Sequence, residues 1–331
     1  MNFIIFPFFV GLIVRSISSR LGMPGFDRPL KDFLQPMSRV ADSKLSAFWR
    51  GSWGTPGSVM FPVYFSAHAL HSPTTQTGMS AAIETTNLTR EFGAVRAVDR
   101  LNLSVQAGCF YGFLGPNGAG KSTTIKMFTG LLAPTSGTIR LLGQDLSDPR
   151  SALEVKRRIG VVPENLALFD NLTAREYLTF IGRMYLLSPA IIRERCHELL
   201  AIMDLAGEEK KLTLEFSHGM KKKLALAAAL IPNPDLLFLD EPFEGVDAVA
   251  SRVLRDTLKQ CVGRGATVFL TSHVLEIVEK LCTDVGIIAR GQLVHQGTME
   301  ELRRTGSLED KFLNVVGVGE HEAQKLSWLE G

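Results

Sequence analysis

The pattern of apolar and polar side chains predicts strands that are buried to different degrees. Residues 101–105 (LNLSV) alternate apolar and polar, as a strand does when one face is buried, whereas residues 109–114 (CFYGFL) are almost uniformly apolar. Further apolar runs end at Asp240 and Ser272. Strands buried on both faces are typical of parallel sheets covered by helices, so the pattern predicts an α/β fold.

Two amphipathic helices are predicted between Glu164 and Ser217. Thr173 and Glu176 have the spacing of a capping box, and the second helix begins at Ser188 and Pro189. The predicted apolar stripe of the first helix is Tyr177, Phe180, Ile181, Met184 and Tyr185. That of the second is Ile192, Cys196, Leu199, Leu200 and Met203.

The first 78 residues differ in composition from the rest of the chain. They contain seven Arg or Lys, three Asp and no Glu, and seven of the fifteen prolines. The opening apolar run, residues 1–14, contains Pro7 and is shorter than the ~20 residues that cross a bilayer. Three interpretations remain: a membrane-surface anchor, a disordered extension, or translation from a start that the cell does not normally use. We favour the last, with a folded domain over residues 79–318 and a tail over 319–331.

Overall composition excludes several classes of protein. With 45% hydrophobic and 21% charged residues, the 331-residue chain has the composition of a globular protein. Its four cysteines are far apart and form no CxxC pair, so we expect a reducing compartment and no disulfide framework. The net charge of +2 offers no electrostatic footprint for nucleic acid, and we expect none as a partner.

A glycine-rich segment follows the buried strand that ends at residue 114. Residues 115–122 (GPNGAGKS) match GxxxxGK[ST] between a predicted strand and a predicted helix, the context of a P-loop that binds nucleotide phosphates. Backbone N–H groups and the helix N-terminus would surround phosphate oxygens, Lys121 would neutralise the terminal phosphates, and Ser122 would ligate Mg²⁺. The predicted ATP-binding residues here are Gly115, Pro116, Asn117, Gly118, Ala119, Gly120, Lys121, Ser122 and Thr123.

Two adjacent carboxylates end the apolar strand of residues 234–242 (PDLLFLDEP). In the context of a P-loop, Asp240 is predicted to hold Mg²⁺ and Glu241 to polarise the water that attacks the terminal phosphate. A solvated acidic turn is the weaker interpretation.

From about residue 81 to the C-terminus, roughly three quarters of the chain, these motifs resemble those of the ATP-binding cassette (ABC) ATPases. Residues 216–227 (FSHGMKKKLALA) resemble the signature sequence of that family, residues 244–247 (EGVD) its D-loop, and the segment ending at His273 its switch histidine. The resemblance implies a P-loop NTPase (RecA-like) core with an antiparallel β subdomain and an inserted α-helical subdomain at about residues 166–230.

The resemblance also implies roles for individual residues. Phe92 would stack on adenine, Ser217 and Gly219 would bind a γ-phosphate, His273 would hydrogen-bond the γ-phosphate, and Asp247 would lie at the ATP site. The alternatives are a core phenylalanine, a plain helix cap at Ser217, and a loop histidine. The lysines at 221–223 are interpreted as a solvated helix face without a role.

The sequence departs from the family pattern at three positions. Glu164 stands where a glutamine usually contacts Mg²⁺; a carboxylate can still ligate that ion. His218 and Met220 replace Gly and Gln in the signature, a variation associated with drug, antibiotic or polysaccharide exporters. The ending at residues 307–317 resembles the same branch.

The sequence therefore predicts an ATP-hydrolysing subunit that binds ATP and Mg²⁺ at a homodimer interface, with a heterodimer as an alternative. It would power export through a separate transmembrane permease, as a peripheral protein at the cytoplasmic face of the membrane. Two other classes stay open: a soluble ABC ATPase acting on nucleic acid or ribosomes, and a P-loop phosphotransferase.

Overall fold

The computed structural model describes residues 81–316; the predictions for residues 1–78 and 319–331 lie outside them. The strands are β1 (Ala81–Phe92), β2 (Val95–Leu101), β3 (Ser104–Gln106), β4 (Phe110–Leu114), β5 (Ser136–Leu141), β6 (Gln144–Asp145), β7 (Ile159–Val162), β8 (Leu236–Asp240), β9 (Thr267–Ser272), β10 (Asp284–Ala289) and β11 (Gln292–Thr298). The α-helices are α1 (Lys121–Phe128), α2 (Pro149–Arg158), α3 (Ala174–Met184), α4 (Pro189–Ile202), α5 (His218–Leu230), α6 (Ala248–Gly263), α7 (Leu275–Leu281), α8 (Met299–Thr305) and α9 (Leu308–Val316).

The larger sheet is a six-stranded sheet in the order β11-β10-β4-β9-β8-β7. Strands β10, β4, β9, β8 and β7 run parallel, and only β11 runs antiparallel to its neighbour in this sheet. Every residue of β8 and β9 is buried, as the apolar runs predicted. The α/β class and the parallel core are therefore confirmed.

Alternate residues of the parallel strands feed two separate hydrophobic cores, because successive side chains of a strand point to opposite faces. Leu237 and Leu239 of β8 lie in the core shared with helices α3 to α6. Leu236 and Phe238 lie in the other core, which includes α1 and the smaller sheet. This division explains why both faces of β8 must be apolar.

The smaller sheet is antiparallel and is built on the first strand. Its order is β2-β1-β5-β6, with β3 also paired to β1. Ile83, Leu88 and Leu101 are fully buried between this sheet and the rest of its core. The predicted antiparallel β subdomain is therefore present, and it carries Phe92 at the end of β1.

Helices α3 and α4 occupy the predicted insertion. Thr173 and Glu176 form the predicted capping box, and Ser188 caps α4 with a proline in its first turn. In α4 the buried residues Ile192, Cys196 and Leu200 follow the predicted stripe.

The predicted stripe of α3 is only partly correct. Tyr177 is buried, but Met184 is exposed, and the helix buries Leu178 and Gly182 instead. A Cβ atom at Gly182 would lie 2.7 Å from Ile192 of α4, so α3 and α4 approach each other closely at this glycine. The buried face of α3 therefore includes Gly182 and differs from the predicted stripe. Sequence periodicity did not include this glycine because it has no apolar side chain.

All four cysteines are free and buried. Among the residues described, no helix combines the length and the apolar character that crossing a membrane requires.

Candidate functional site: a phosphate-binding loop facing a buried carboxylate

Parallel pairing brings the chemistry-bearing residues to one edge of the larger sheet. Leu114, the last residue of β4, pairs with Ser272 of β9, and Asp240, the last residue of β8, pairs with Thr271. The P-loop follows Leu114, and Glu241 and His273 come directly after the other two strands. The carboxyl ends of parallel strands are where open α/β sheets bind ligands.

The backbone of the P-loop can be built only with glycine at two positions. Gly120 has a φ of 110°, and a Cβ atom there would lie 2.5 Å from the Ala97 carbonyl oxygen. A Cβ atom at Gly115 would lie 2.4 Å from the Ile288 carbonyl oxygen. Gly118, with a φ of 79°, has open space on its Cβ side. The loop is therefore packed against the protein on one side and open at its middle, as phosphate binding requires.

Lys121 begins α1 and is buried. Its Nζ atom donates to the carbonyl oxygens of Gly115 (2.7 Å) and Pro116 (3.3 Å). The same Nζ lies 3.9 Å from Oε1 of Glu241. An ammonium held inside its own loop, with a carboxylate opposite, can neutralise a phosphate that enters between them.

Ser122 and Thr123 occupy the next two positions of α1 and are partly exposed. Their position at a helix N-terminus, beside Lys121, is the position predicted for ligands of Mg²⁺ and phosphate.

Asp240 is fixed by a neighbouring strand. The Thr271 hydroxyl donates to Asp240 Oδ1 over 2.6 Å and accepts from the Glu241 N–H over 3.1 Å. Thr271 is 0% exposed. The Thr271 hydroxyl thus orients the Asp240 carboxylate and holds the backbone N–H of Glu241. A threonine inside a buried strand is also a common β-strand residue, so the sequence pattern does not single out Thr271.

The Glu241 side chain is buried and reaches two groups of His273. Its Oε2 atom lies 3.0 Å from His273 Nδ1 and accepts from the His273 backbone N–H over 3.3 Å. An ionised carboxylate only accepts hydrogen bonds, so the Nδ1 side of the ring faces an acceptor. The other ring nitrogen, Nε2, then remains available to a ligand.

Lys222 corrects the interpretation of residues 221–223 as a solvated face. Lys222 and Lys223 are both buried, and Lys222 Nζ donates to the Glu241 carbonyl oxygen over 2.9 Å. Lys223 Nζ donates to the Asp204 carbonyl oxygen over 3.3 Å. A run of three lysines suggested a surface, but α5 is enclosed on nearly every side by the helical core and the sheet.

Phe92 is exposed, which excludes the alternative of a core residue. Its side chain is 48% exposed, and the Arg90 guanidinium lies 4.6 Å from its ring centroid. Arg90 also donates to the Ala133 carbonyl oxygen over 2.8 Å. One face of the ring is thus covered by a cation.

Within the chain, the signature segment (residues 216–220) lies beside the D-loop. Ser217 caps α5 by accepting from the Met220 N–H, so the capping interpretation describes its local bonding. A Cβ atom at Gly219 would lie 3.4 Å from Asp247 Oδ2. Among the described hydrogen bonds, none joins Ser217 or Gly219 to residues 115–123.

Asp247 caps α6 by accepting from the N–H groups of Ala250 and Val249, which lower its pKa. Glu164 is exposed just after β7. His218, the unusual signature residue, approaches the Glu244 carbonyl oxygen through Nε2 at 3.3 Å. The structure therefore brings Lys121, Asp240, Glu241 and His273 together, whereas Ser217, Gly219 and Asp247 lie at the starts of α5 and α6 and share no described hydrogen bond with those four residues.

Comparison with known proteins agrees with this arrangement. The sequence model of the family described as "ABC transporter" matches residues 98–244. The chain is 40% identical over 251 residues to the daunorubicin/doxorubicin resistance ATP-binding protein DrrA of Streptomyces peucetius, covering 75% of this chain and 73% of DrrA. It is 40% identical over 227 residues to the bacitracin transport ATP-binding protein BcrA of Bacillus licheniformis, covering 68% of this chain and 72% of BcrA.

A solved structure of the ATP-binding subunit of an ABC transporter has the same fold. It superposes with a TM-score of 0.66 at 30% identity, covering 71% of this chain and 99% of that chain. The P-loop, the paired carboxylates and these similarities lead to one conclusion: the chain belongs to the ABC transporter family of ATP-binding proteins, and it is an ATPase.

Proposed function

We propose that this ATPase powers export through a separate membrane-spanning protein, and that two copies of the chain enclose two ATP molecules. The observation that carries the hydrolytic part is the approach of Lys121 Nζ and Glu241 Oε1 to 3.9 Å at the carboxyl edge of the sheet. A cation that neutralises the phosphates and a carboxylate that orients the attacking water are the two groups that ATP hydrolysis uses, and this edge of the sheet brings them together.

In this proposal the P-loop holds the phosphates through its backbone N–H groups, and Lys121 neutralises the terminal ones. Glu241 accepts a hydrogen bond from the attacking water and orients it. His273, fixed by Glu241 through Nδ1, offers Nε2 to the γ-phosphate. Its contact with Glu241 holds the imidazole and the carboxylate in one fixed relation.

The donor set fits Mg²⁺. In the described part of the chain, no group of three or more His, Cys, Asp or Glu could hold a metal ion by itself. Mg²⁺ keeps several waters and takes one or two protein oxygens together with substrate phosphates. Ser122, Asp240 and Glu164 supply such oxygens, and the ion would neutralise charge on the phosphates when it is bound.

The dimer follows from an incomplete site. The P-loop surrounds phosphate from one side, while Ser217 and Gly219 start a helix whose N–H groups favour an anion but share no described hydrogen bond with the P-loop of the same chain. We infer that they contact the γ-phosphate held by a second copy, with Asp247 at the same interface. Phe92 stacks its free face on the adenine.

Export is supported by two relatives of the chain, one named for daunorubicin/doxorubicin resistance and one for bacitracin transport. No described helix is long and apolar enough to cross a membrane. From the resistance and transport functions that these two relatives are named for, we propose a permease on a separate chain and a peripheral location at the cytoplasmic face.

Two substitutions test the hydrolytic roles. Lys121→Ala should weaken ATP binding, because the phosphates lose their cation, whereas Glu241→Gln should keep ATP bound and lose ~10²–10⁴ in rate. Equilibrium binding of labelled ATP and release of inorganic phosphate are measured side by side. Wild-type phosphate release by Glu241→Gln would contradict the assignment, and a phosphorylated metabolite in place of phosphate would favour a phosphotransferase.

Fractionation of source cells tests the membrane partner. We expect the chain to sediment with membranes and to be released by alkaline carbonate. A chain that starts at Met79 is the matched control, because it removes the apolar run of residues 1–14. Sedimentation of both chains supports docking through the cassette; sedimentation of only the longer chain would indicate an anchor instead.

A further inference from the structure

Lys222 is a buried cation directly behind the carboxylate pair. The side chain is 2% exposed, and Nζ lies 2.9 Å from the carbonyl oxygen of Glu241. Burying an ammonium is costly unless it is paired and hydrogen-bonded. A leucine or methionine would fill a helix core at lower cost, so packing alone does not explain a lysine here.

The surroundings of Lys222 are strongly acidic. Burial lowers its pKa, while the nearby carboxylates of Glu244, Glu164, Glu241 and Asp240 act in the opposite direction and favour its charged form. The cation therefore offsets repulsion among several negative groups at the edge where a polyphosphate is to bind.

Glu241 needs support because its backbone is unusual. It has a φ of 48°, in the left-handed region that non-glycine residues rarely occupy. Such a conformation costs on the order of 1–3 kcal/mol and persists only where its surroundings enforce it. In this conformation the Glu241 carboxylate lies within 3.9 Å of Lys121 Nζ and 3.0 Å of His273 Nδ1.

The peptide groups on both sides of Glu241 are fixed. Its N–H donates to Thr271 Oγ1 over 3.1 Å. Its carbonyl oxygen accepts from Lys222 Nζ and, over 3.3 Å, from the Glu244 N–H of the following turn. Lys222 is the only one of these three partners that comes from α5, the helix that starts with the signature segment.

We propose that Lys222 is a positioning residue for hydrolysis: it holds the left-handed turn at Glu241 and so aims the carboxylate at the attacking water. The inference rests on the proposed role of Glu241. Because Ser217 caps the same helix five residues earlier, Lys222 also ties the signature segment of a chain to the carboxylate of that chain.

The test compares two adjacent buried lysines. Lys222→Met keeps length and apolar stem but removes the donor and the charge, and we expect kcat to fall by about 10- to 100-fold, the effect of losing a hydrogen bond from a charged donor. KM for ATP should stay near the wild-type value, since the P-loop is untouched. Lys222→Arg, which keeps the charge and donors, should recover much of kcat.

Lys223→Met is the matched control. Lys223 is also buried on α5, at 8% exposed against 2% for Lys222, but its amine contacts Asp204 and not Glu241. We expect its kcat to remain within about twofold of wild type, because a substitution away from the site removes no interaction with the transition state. If Lys222→Met does not fold, Lys222→Gln, which loses the charge and part of the reach, takes its place with the same expectation.

Wild-type kcat in Lys222→Met, or an equal fall in Lys223→Met, would overturn the inference. A rise in KM for ATP without a fall in kcat would also overturn it, as would a Lys222→Arg variant whose kcat is as low as that of Lys222→Met. The Glu241→Gln variant is assayed in parallel to separate the two claims: if it hydrolyses ATP normally, the proposed role of Glu241 fails, whereas an inactive Glu241→Gln with an active Lys222→Met refutes only the positioning role.

Discussion

Replacing Thr271 by valine removes one hydroxyl and almost no volume. Thr271 lies in the middle of the carboxyl edge, fully buried, between Asp240 and Glu241. Its Oγ1 atom donates to the Asp240 carboxylate over 2.6 Å and accepts from the Glu241 N–H over 3.1 Å. Valine keeps the β-branched shape that suits a strand, so the substitution removes these two hydrogen bonds and a longer one, over 3.5 Å, from the same hydroxyl to the Leu239 carbonyl oxygen.

The magnitude follows from what is left without a partner. A buried polar group that loses its hydrogen bond costs about 1–3 kcal/mol, and more when it is charged. The substitution leaves the Asp240 carboxylate and the Glu241 N–H without this partner, while the added methyl group recovers ~0.8 kcal/mol. We therefore expect Thr271→Val to lower the free energy of unfolding by roughly 2–4 kcal/mol.

Thr257→Val is the control for this measurement. Thr257 is also buried, but its hydroxyl donates only to the Val253 carbonyl oxygen one helical turn earlier in α6. That carbonyl keeps its helical hydrogen bond, so the expected loss is below about 1 kcal/mol. Urea unfolding followed by circular dichroism gives both values by linear extrapolation.

Equal stability losses in the two valine variants would refute the reasoning. In that case the Thr271 hydroxyl would not be orienting the carboxylates, and the geometry of Glu241 would need another cause. A large loss confined to Thr271→Val, together with slower ATP hydrolysis, supports the account.

Two further predictions concern the N-terminal part of the chain. Phe92→Ala should weaken ATP binding by the ~1–3 kcal/mol typical of stacking a base on an aromatic ring, while binding of inorganic tripolyphosphate stays unchanged. Calorimetric titration of both ligands checks this, and an equal loss for both would show a structural effect. A chain started at Met79 should fold and hydrolyse ATP; an inactive or unfolded product would contradict the dispensability of residues 1–78, and intact-mass measurement of the protein from its source decides where the native chain begins.

Local sequence predicted the parallel sheet and the P-loop because both depend on short, contiguous patterns. The apolar run of β8 requires two buried faces. The backbone at positions 115 and 120 leaves no room for a side chain and therefore requires glycine. Order along the chain then placed Asp240 and Glu241 at the edge that carries the P-loop. These features need no knowledge of distant contacts.

Tertiary contacts decided the features that sequence reasoning missed. Lys222 looked exposed because lysine is rarely buried without a partner, and its partner is a backbone carbonyl 19 positions away that no residue type reveals. Thr271 contacts Asp240 only through the register of β8 and β9. Phe92 is exposed because it is the last residue of β1, where the chain turns into β2.

Mixing two inactive variants tests the composite site most directly. Lys121→Ala chains lack the phosphate cation, and Ser217→Arg chains block the signature segment. In a head-to-tail dimer the mixed species has one doubly damaged site and one intact site, formed by the P-loop of the Ser217→Arg chain and the signature segment of the Lys121→Ala chain. We expect phosphate release to return on mixing, below the wild-type rate. Verified mixed dimers without any phosphate release, or full activity of Ser217→Arg alone, would contradict it.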